Sequence, residues 1–287
     1  MYVILFGNIP FDDEDSLNQA LVSGNFSSDQ YFNQISEEAK DLIKSMLKVD
    51  PEERISIEDA LEHEWIINNG PQQIDESKSM NIEQDNIDLV DTDIEENPPL
   101  TNISFTKNAS YHLNMEIICK VGQFEYFQLY KVKEKVSGEI FAVEVFYQRI
   151  KDYPKQSRKK VIKSLDSMIK VDHPLIQTCY QLIKNFDKKN CTAVLTDFLN
   201  MPSLYDIIHK QRKKLTETQK LINIYGIASA MNYLHSKGIL HRELTTKNIF
   251  EDEKLHPKLV NFGMNTIFKS LSSLAKINTI SYFNAPE

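Results

Sequence analysis

The chain has 287 residues, 41% of them hydrophobic and 26% charged, which is enough apolar content for an ordinary core and excludes global disorder. Its formal net charge of −8 is concentrated, because residues 71–100 hold nine acids and one base, so nucleic acid is not an expected partner. No run approaches the ~20 apolar residues that a membrane span needs, so no membrane association is expected.

The opening Met1-Tyr2-Val3-Ile4-Leu5-Phe6-Gly7 is too short for a secretory signal and lacks its basic flank. Beyond it, Ala39, Leu42, Ile43, Met46 and Leu47 recur at the spacing of one helix face. Ser36 suits the N-cap of that helix, with Glu37 and Glu38 in its first turn, and Val49-Asp50-Pro51 stops it. Ser56 is placed to cap a second helix, with Asp59 three residues on. Residues 69–110 are acidic, rich in Asn, Gln and Pro, and carry no sustained periodicity, the composition of a disordered linker. Asp85 to Glu96 lacks the glycine and the alternating ligands of a calcium loop.

After the linker the pattern turns to strands. Met115–Val121, Tyr126–Val132 and Glu139–Tyr147 read as β-strands, the last two joined by a turn at Ser137-Gly138. Arg158–Val171 suits a helix that ends ahead of His173-Pro174. Ala193–Phe198 reads as a buried strand and Ser203–Gln211 as a short helix, and Thr216 with Gln219 forms the capping box of a long helix. Three cysteines, Cys119, Cys179 and Cys191, are widely spaced and follow no metal pattern. They read as reduced thiols of a cytoplasmic protein.

Four motifs then follow in order. His241-Arg242-Glu243-Leu244-Thr245-Thr246-Lys247-Asn248 resembles the catalytic loop H-R-D-L-x-x-x-N of protein kinases. Asn261-Phe262-Gly263 stands where that family has D-F-G, Ala285-Pro286-Glu287 resembles its A-P-E, and Ile224–Leu234 is the apolar helix that leads in. The first segment, with ISEEAKDLIKSML, DPEER and EDALEHEW, resembles the late C-lobe of the same superfamily, in particular of calcium/calmodulin-dependent and plant-type calcium-dependent Ser/Thr kinases. The resemblance implies an α+β, bilobal kinase-like fold that is incomplete and out of order. Its parts are a late C-lobe piece at 1–68, an acidic linker at 69–110, an N-lobe and hinge at 111–202, and an early C-lobe at 203–287. Two origins fit this order: pieces of two tandem kinase domains, or one permuted domain whose halves complement each other. In the second case Arg54 of DPEER should pair with Glu287, and the residues from Met1 to Phe11 should lie under the catalytic loop.

Residue by residue, the resemblance implies a centre with its chemistry removed. Of the phosphate-covering G-x-G-x-x-G only Gly122 remains, with Phe124 and Phe127 in place of the other glycines. The phosphate-binding lysine falls on Glu144 and its glutamate partner on Ser164. Glu243 replaces the catalytic Asp, Thr245 the lysine two residues on, and Asn261 the magnesium-binding Asp, while Asn248 keeps the second metal position. Leu129 and Ala142 fit the positions flanking adenine, Thr196 the gatekeeper, and Asp197 and Leu199 the hinge. Met168, His241 and Phe262 fit the internal spine, and Arg242 the residue that clasps a phosphorylated activation segment. Glu144, if buried, needs a cation, and Lys160 and Lys163 are the expected partners. The resemblance implies a pseudokinase that binds protein partners and uses no cofactor. Two alternatives remain: an active Ser/Thr kinase using ATP and magnesium, and a non-functional fragment.

Overall fold

The computed structural model describes residues 1–6, 32–48, 50–70, 115–124, 127–147, 155–183, 186, 191–211, 214–252 and 256–263. These fall into two compact units: a helical one within Met1–Asn81 and Met201–Asn261, and a sheet unit within Ile82–Asn200 that also takes Phe262 and Gly263.

In the helical unit, the first segment and the segment after residue 200 fold as one body. Its short helices are α1 (Tyr2–Phe6), α2 (Glu37–Met46), α3 (Ile57–Leu61) and α4 (Glu64–Asn69). The expected caps form. The Ser36 hydroxyl accepts from the Ala39 N–H at 3.3 Å, and Ser56 accepts from Asp59 N–H at 3.0 Å. Ala39, Leu42 and Ile43 are the buried side of α2, as their spacing requires. The long helix α6 (Glu217–Ser236) starts at the Thr216–Gln219 capping box, and both α1 and α3 pack against it. Two helices of the first segment thus meet the long helix within the Tyr205–Leu234 region, while residues 7–31, including the rest of the stretch expected under the catalytic loop, lie outside the described residues. Beside α6 lies a two-stranded ribbon, β6 (Ile249–Glu251) with β7 (Pro257–Leu259).

The sheet unit holds five antiparallel strands in the order β1-β2-β3-β5-β4: β1 (Met115–Gln123), β2 (Phe127–Glu134), β3 (Ile140–Phe146), β4 (Cys179–Ile183) and β5 (Ala193–Asp197). Gly138 turns β2 into β3 at φ 78°, a conformation that glycine adopts without a Cβ penalty. One face of the sheet carries the core: Tyr130, Val132, Val143, Val145, Ala193 and Leu195 cluster with Met115, Phe186 and Cys191. Helix α5 (Lys155–Ile169) packs against β4 and buries Val161, Leu165 and Met168, a stripe at i, i+4 and i+7. Three expectations shift. Strand β4 was not anticipated, α5 begins three residues earlier than Arg158, and the Ser203–Gln211 segment closes as a π-type turn over Asp206–Lys210.

Candidate functional site: a catalytic loop and a sheet face

The loop after α6 belongs to the helical unit. His241 is fully buried, with 0% of its surface exposed. Its Nδ1 accepts from the Glu243 N–H at 3.4 Å, and burial holds its pKa down at about 4. The neutral ring is therefore a packing and bracing element. Arg242 takes φ 62° and Asn261 φ 60°, left-handed conformations that cost an L-residue roughly 1–2 kcal/mol, less for Asn. They hold because hydrogen bonds fix the backbone on both sides. Asn248 donates Nδ2 to the Glu243 carbonyl at 2.9 Å, its backbone carbonyl accepts from Val260 N–H at 3.0 Å, and its N–H reaches the Thr245 carbonyl at 2.9 Å. Asn261 completes the set, donating Nδ2 to Asn248 Oδ1 at 2.8 Å. Lys247 sits with its ammonium 5.0 Å from the centre of the Tyr205 ring.

This donor set does not fit magnesium. The cation takes anionic oxygens in near-octahedral geometry. Here the amide oxygen of Asn248 is occupied by an N–H of Asn261, and no group of three or more His, Cys, Asp or Glu side chains placed to hold a metal gathers among the described residues. The two asparagines bind each other directly.

In the sheet unit, the turn from β1 to β2 is closed by aromatic packing. The Phe124 N–H donates to the Phe127 carbonyl at 2.9 Å, and the two rings stack at 4.8 Å and 19°. Phe127 then meets Phe146 edge-on at 6.4 Å. A Cβ on Gly122 would lie 3.2 Å from the Phe124 ring. The rings thus occupy the lip where a phosphate-covering loop would need open backbone.

Glu144 lies in the middle of the sheet, opposite Leu129 on one side and Val194 on the other. It is 5% exposed, and burial raises its carboxyl to about 7. The expected ion pair with α5 is not formed with Lys163, and among the described residues Glu144 pairs with no cation. Lys163 is exposed because the Val161–Leu165–Met168 stripe takes the inner side of the helix. The side chain of Lys160 lies outside the described residues. Ser164 is half-buried on α5 and brings no charge. A buried carboxylate without a cation fits a triphosphate poorly, since both are anionic.

Next to Glu144, the residues matched to the adenine site are held by their neighbours. Ala142 and Thr196 face each other across β3 and β5, both buried, and Leu129 is half-buried. Gln177, absent from the sequence reading, donates Nε2 to Thr196 Oγ1 at 3.2 Å and to the Asp197 carbonyl at 3.0 Å. The Asp197 carboxylate accepts from Thr178 N–H at 3.0 Å and from the Tyr180 hydroxyl at 2.6 Å. Asp197 is thereby tied to the segment before β4, and Leu199 follows it, half-buried. No sequence signal marked Gln177, because the strand that follows it was not legible in the sequence. Met168 and Phe262 are buried in the sheet unit and His241 in the helical unit. Arg54 clasps the Lys48 carbonyl with Nε at 3.0 Å and a terminal nitrogen at 2.9 Å, while its expected partner Glu287 lies outside the described residues, as do Ala285 and Pro286.

The comparisons with known proteins agree with this architecture. The family model for the protein kinase domain matches residues 1–66 and 115–287, and the chain belongs to that family. Among similar proteins are NUAK family SNF1-like kinase 1 of Homo sapiens, 26% identical over 168 residues, which covers 58% of this chain and 24% of that protein. The serine/threonine-protein kinase AtPK2/AtPK19 of Arabidopsis thaliana is 30% identical over 176 residues, 61% of this chain and 36% of that protein. The dual specificity protein kinase pyk3 of Dictyostelium discoideum is 33% identical over 129 residues, 45% of this chain and 9% of that protein. The matched region thus spans about a third or less of these relatives' length. Among the described residues no helix is long and apolar enough to cross a membrane.

Proposed function

We propose that this kinase-family chain is a pseudokinase, a module that keeps the fold to bind and regulate protein partners and does not transfer phosphate. The observation that carries this reading is Glu144. Where the resemblance places a lysine for the nucleotide phosphates, a buried carboxylate stands, with no cation paired to it among the described residues. Phosphoryl transfer rests on positioning and on neutralising phosphate charge, and like charges ~4 Å apart cost about 4 kcal/mol at an effective dielectric of 20. The Asn248–Asn261 amide pair and the Phe124–Phe127 stack support the same reading independently. Cys119, Cys179 and Cys191 form no disulfide with one another, which supports a cytoplasmic setting.

The test is a thermal shift with Mg-ATP, followed by phosphate transfer to generic substrates. No change in melting temperature and no transfer are expected. A rise that requires both ATP and magnesium, with transfer, would instead establish an active Ser/Thr kinase working through Glu243 and Asn248.

A further inference from the structure

Helix α5 carries a run of positive charge that its own sequence leaves unbalanced. Residues 149–165 hold seven bases and one acid, Asp152, and within the helix the first acid is Asp166. Lys155, Lys159 and Lys163 are exposed and follow one another at i, i+4 and i+8, on the side away from the buried Val161, Leu165 and Met168. At ~1.5 Å per residue they stand about 6 Å apart along the helix axis. Arg158, also exposed, flanks the row.

In the helical unit, by contrast, Lys40 meets Glu37 at 2.6 Å, Lys220 meets Glu217 at 2.8 Å and Lys210 meets Asp206 at 2.7 Å, each pair one turn apart. On α5 the row repels itself, because like charges at i, i+4 oppose helix formation. It also starts in the first turn, which holds no acid, and cations there run against the helix dipole. An anion laid along the row relieves both costs, so its binding stabilises the helix through linkage.

We infer that this row binds an acidic segment of a partner protein, one whose carboxylates alternate along an extended strand. Alternate residues of a strand share a face and lie ~6.6 Å apart, close to the lysine spacing, so successive carboxylates each meet one ammonium. A membrane fits less well, because the apolar stripe of α5 is already buried and nothing is left to insert. The inference rests on the reading that this chain works by binding protein partners, and it names the chemistry of one.

The experiment is fluorescence anisotropy of a labelled peptide of alternating Glu and Thr with the full chain at low salt. The controls are a Gln–Thr peptide and a peptide with the same Glu residues grouped in one block. The alternating peptide is expected to bind, more weakly as salt rises, the block peptide several-fold less well, and the neutral peptide not at all. Lys159→Glu should weaken binding about tenfold. Lys135→Glu, the same charge change on an exposed turn of the same unit, should leave it unaltered. No binding of the alternating peptide, equal binding of the block peptide, or equal losses in the two variants would overturn the inference. So would binding that appears only after Asp91→Asn, Asp93→Asn and Glu95→Gln together, since the chain's own acids would then hold the row. Sedimentation with phosphatidylserine vesicles that depends on Lys159, without peptide binding, would assign the row to a membrane and overturn it too. A parallel Mg-ATP thermal shift separates the two ideas. A shift there counts against the pseudokinase reading, whereas a silent peptide removes only this docking row.

Discussion

The catalytic loop and the sheet face have lost their chemistry in different ways. In the loop the replacements are close in shape. Asn stands for Asp at position 261, and Glu for Asp at 243, so the backbone keeps its left-handed turns at Arg242 and Asn261 and gains an amide–amide hydrogen bond. On the sheet the replacement at 144 reverses a charge in a buried strand, and no compensating cation appears among the described residues. The loop accommodates its change by rewiring neutral hydrogen bonds. The sheet accommodates its change by favouring the neutral carboxyl, which burial raises to about 7. An isosteric change to a neutral side chain can be absorbed inside the protein, whereas a buried charge reversal leaves a demand on the surroundings.

The sharpest way to break this comparison is pH, because the two units should respond with opposite signs. Glu144 rises from 4.5 to about 7 on folding. The protonated form is favoured in the native sheet, so its contribution is complete below pH 4.5 and is lost as pH rises through 7. The groups around it on the same face are Lys131 and Cys179, with Asp197 at the end of β5. His241 falls from 6.5 to about 4. Its neutral form is favoured in the native loop, so its contribution is complete above pH 6.5 and is lost as pH falls through 4. Each swing amounts to about 3 kcal/mol at 1.36 kcal/mol per pKa unit. Amide exchange should show β3 and β5 losing protection between pH 5 and pH 8 while the start of the catalytic loop gains it. Glu144→Gln should flatten the first trend and His241→Phe the second. Parallel profiles in the two units would contradict the division.

Most of this architecture was legible in the sequence because it rests on local signals. Ser36, Ser56 and Thr216 announce their helices by the acceptor each offers to a free backbone N–H, and strands β2 and β3 are rich in β-branched and aromatic residues on either side of the Ser137-Gly138 turn. Strand β4 was hidden. Cys179-Tyr180-Gln181-Leu182-Ile183 is short, and it is fixed by pairing with β5 and not by its own pattern. Of the two expected partners of Glu144, Lys160 has its side chain outside the described residues and Lys163 does not pair, because the rotation of α5 about its axis is set by which stripe is buried. Val161, Leu165 and Met168 claim the inner side, and Lys163 points away. The substitutions at 144, 243 and 261 could be read directly from the motif frame. The bonds at these positions and beside the hinge, Asn261 to Asn248 and Gln177 to Asp197, required coordinates.

The loop side of the comparison can be tested by restoring its charge. Asn261→Asp removes the Nδ2 donor and sets a carboxylate oxygen against Asn248 Oδ1, which now accepts at 2.8 Å. Either the two oxygens repel, or the Asn248 amide flips and abandons its bond to the Glu243 carbonyl. Both routes leave a buried polar group poorly paired, at about 2 kcal/mol. Urea unfolding should show that loss in metal-free buffer and a partial recovery with millimolar magnesium, because the oxygens now suit a hard cation. A variant as stable as the wild type without metal would mean that the Asn–Asn bond contributes nothing to the loop.

The smallest effect concerns the helix that supports the loop. In the capping box, Thr216 Oγ1 accepts from Gln219 N–H at 3.2 Å, and Gln219 Oε1 accepts from Thr216 N–H at 2.9 Å, so two N–H groups at the start of α6 are satisfied. Thr216→Ala removes the first bond and should cost about 1 kcal/mol. α6 buries Ile224, Ile227, Ala228, Met231 and Leu234 and receives α1 and α3 on its surface, so the loss should spread through the helical unit. Amide exchange would then quicken in α2, α3 and α6 together while β1 to β3 keep their wild-type rates. If only the first turn of α6 responds, the residues before 71 do not share its cooperativity, and the helical unit is two bodies in contact.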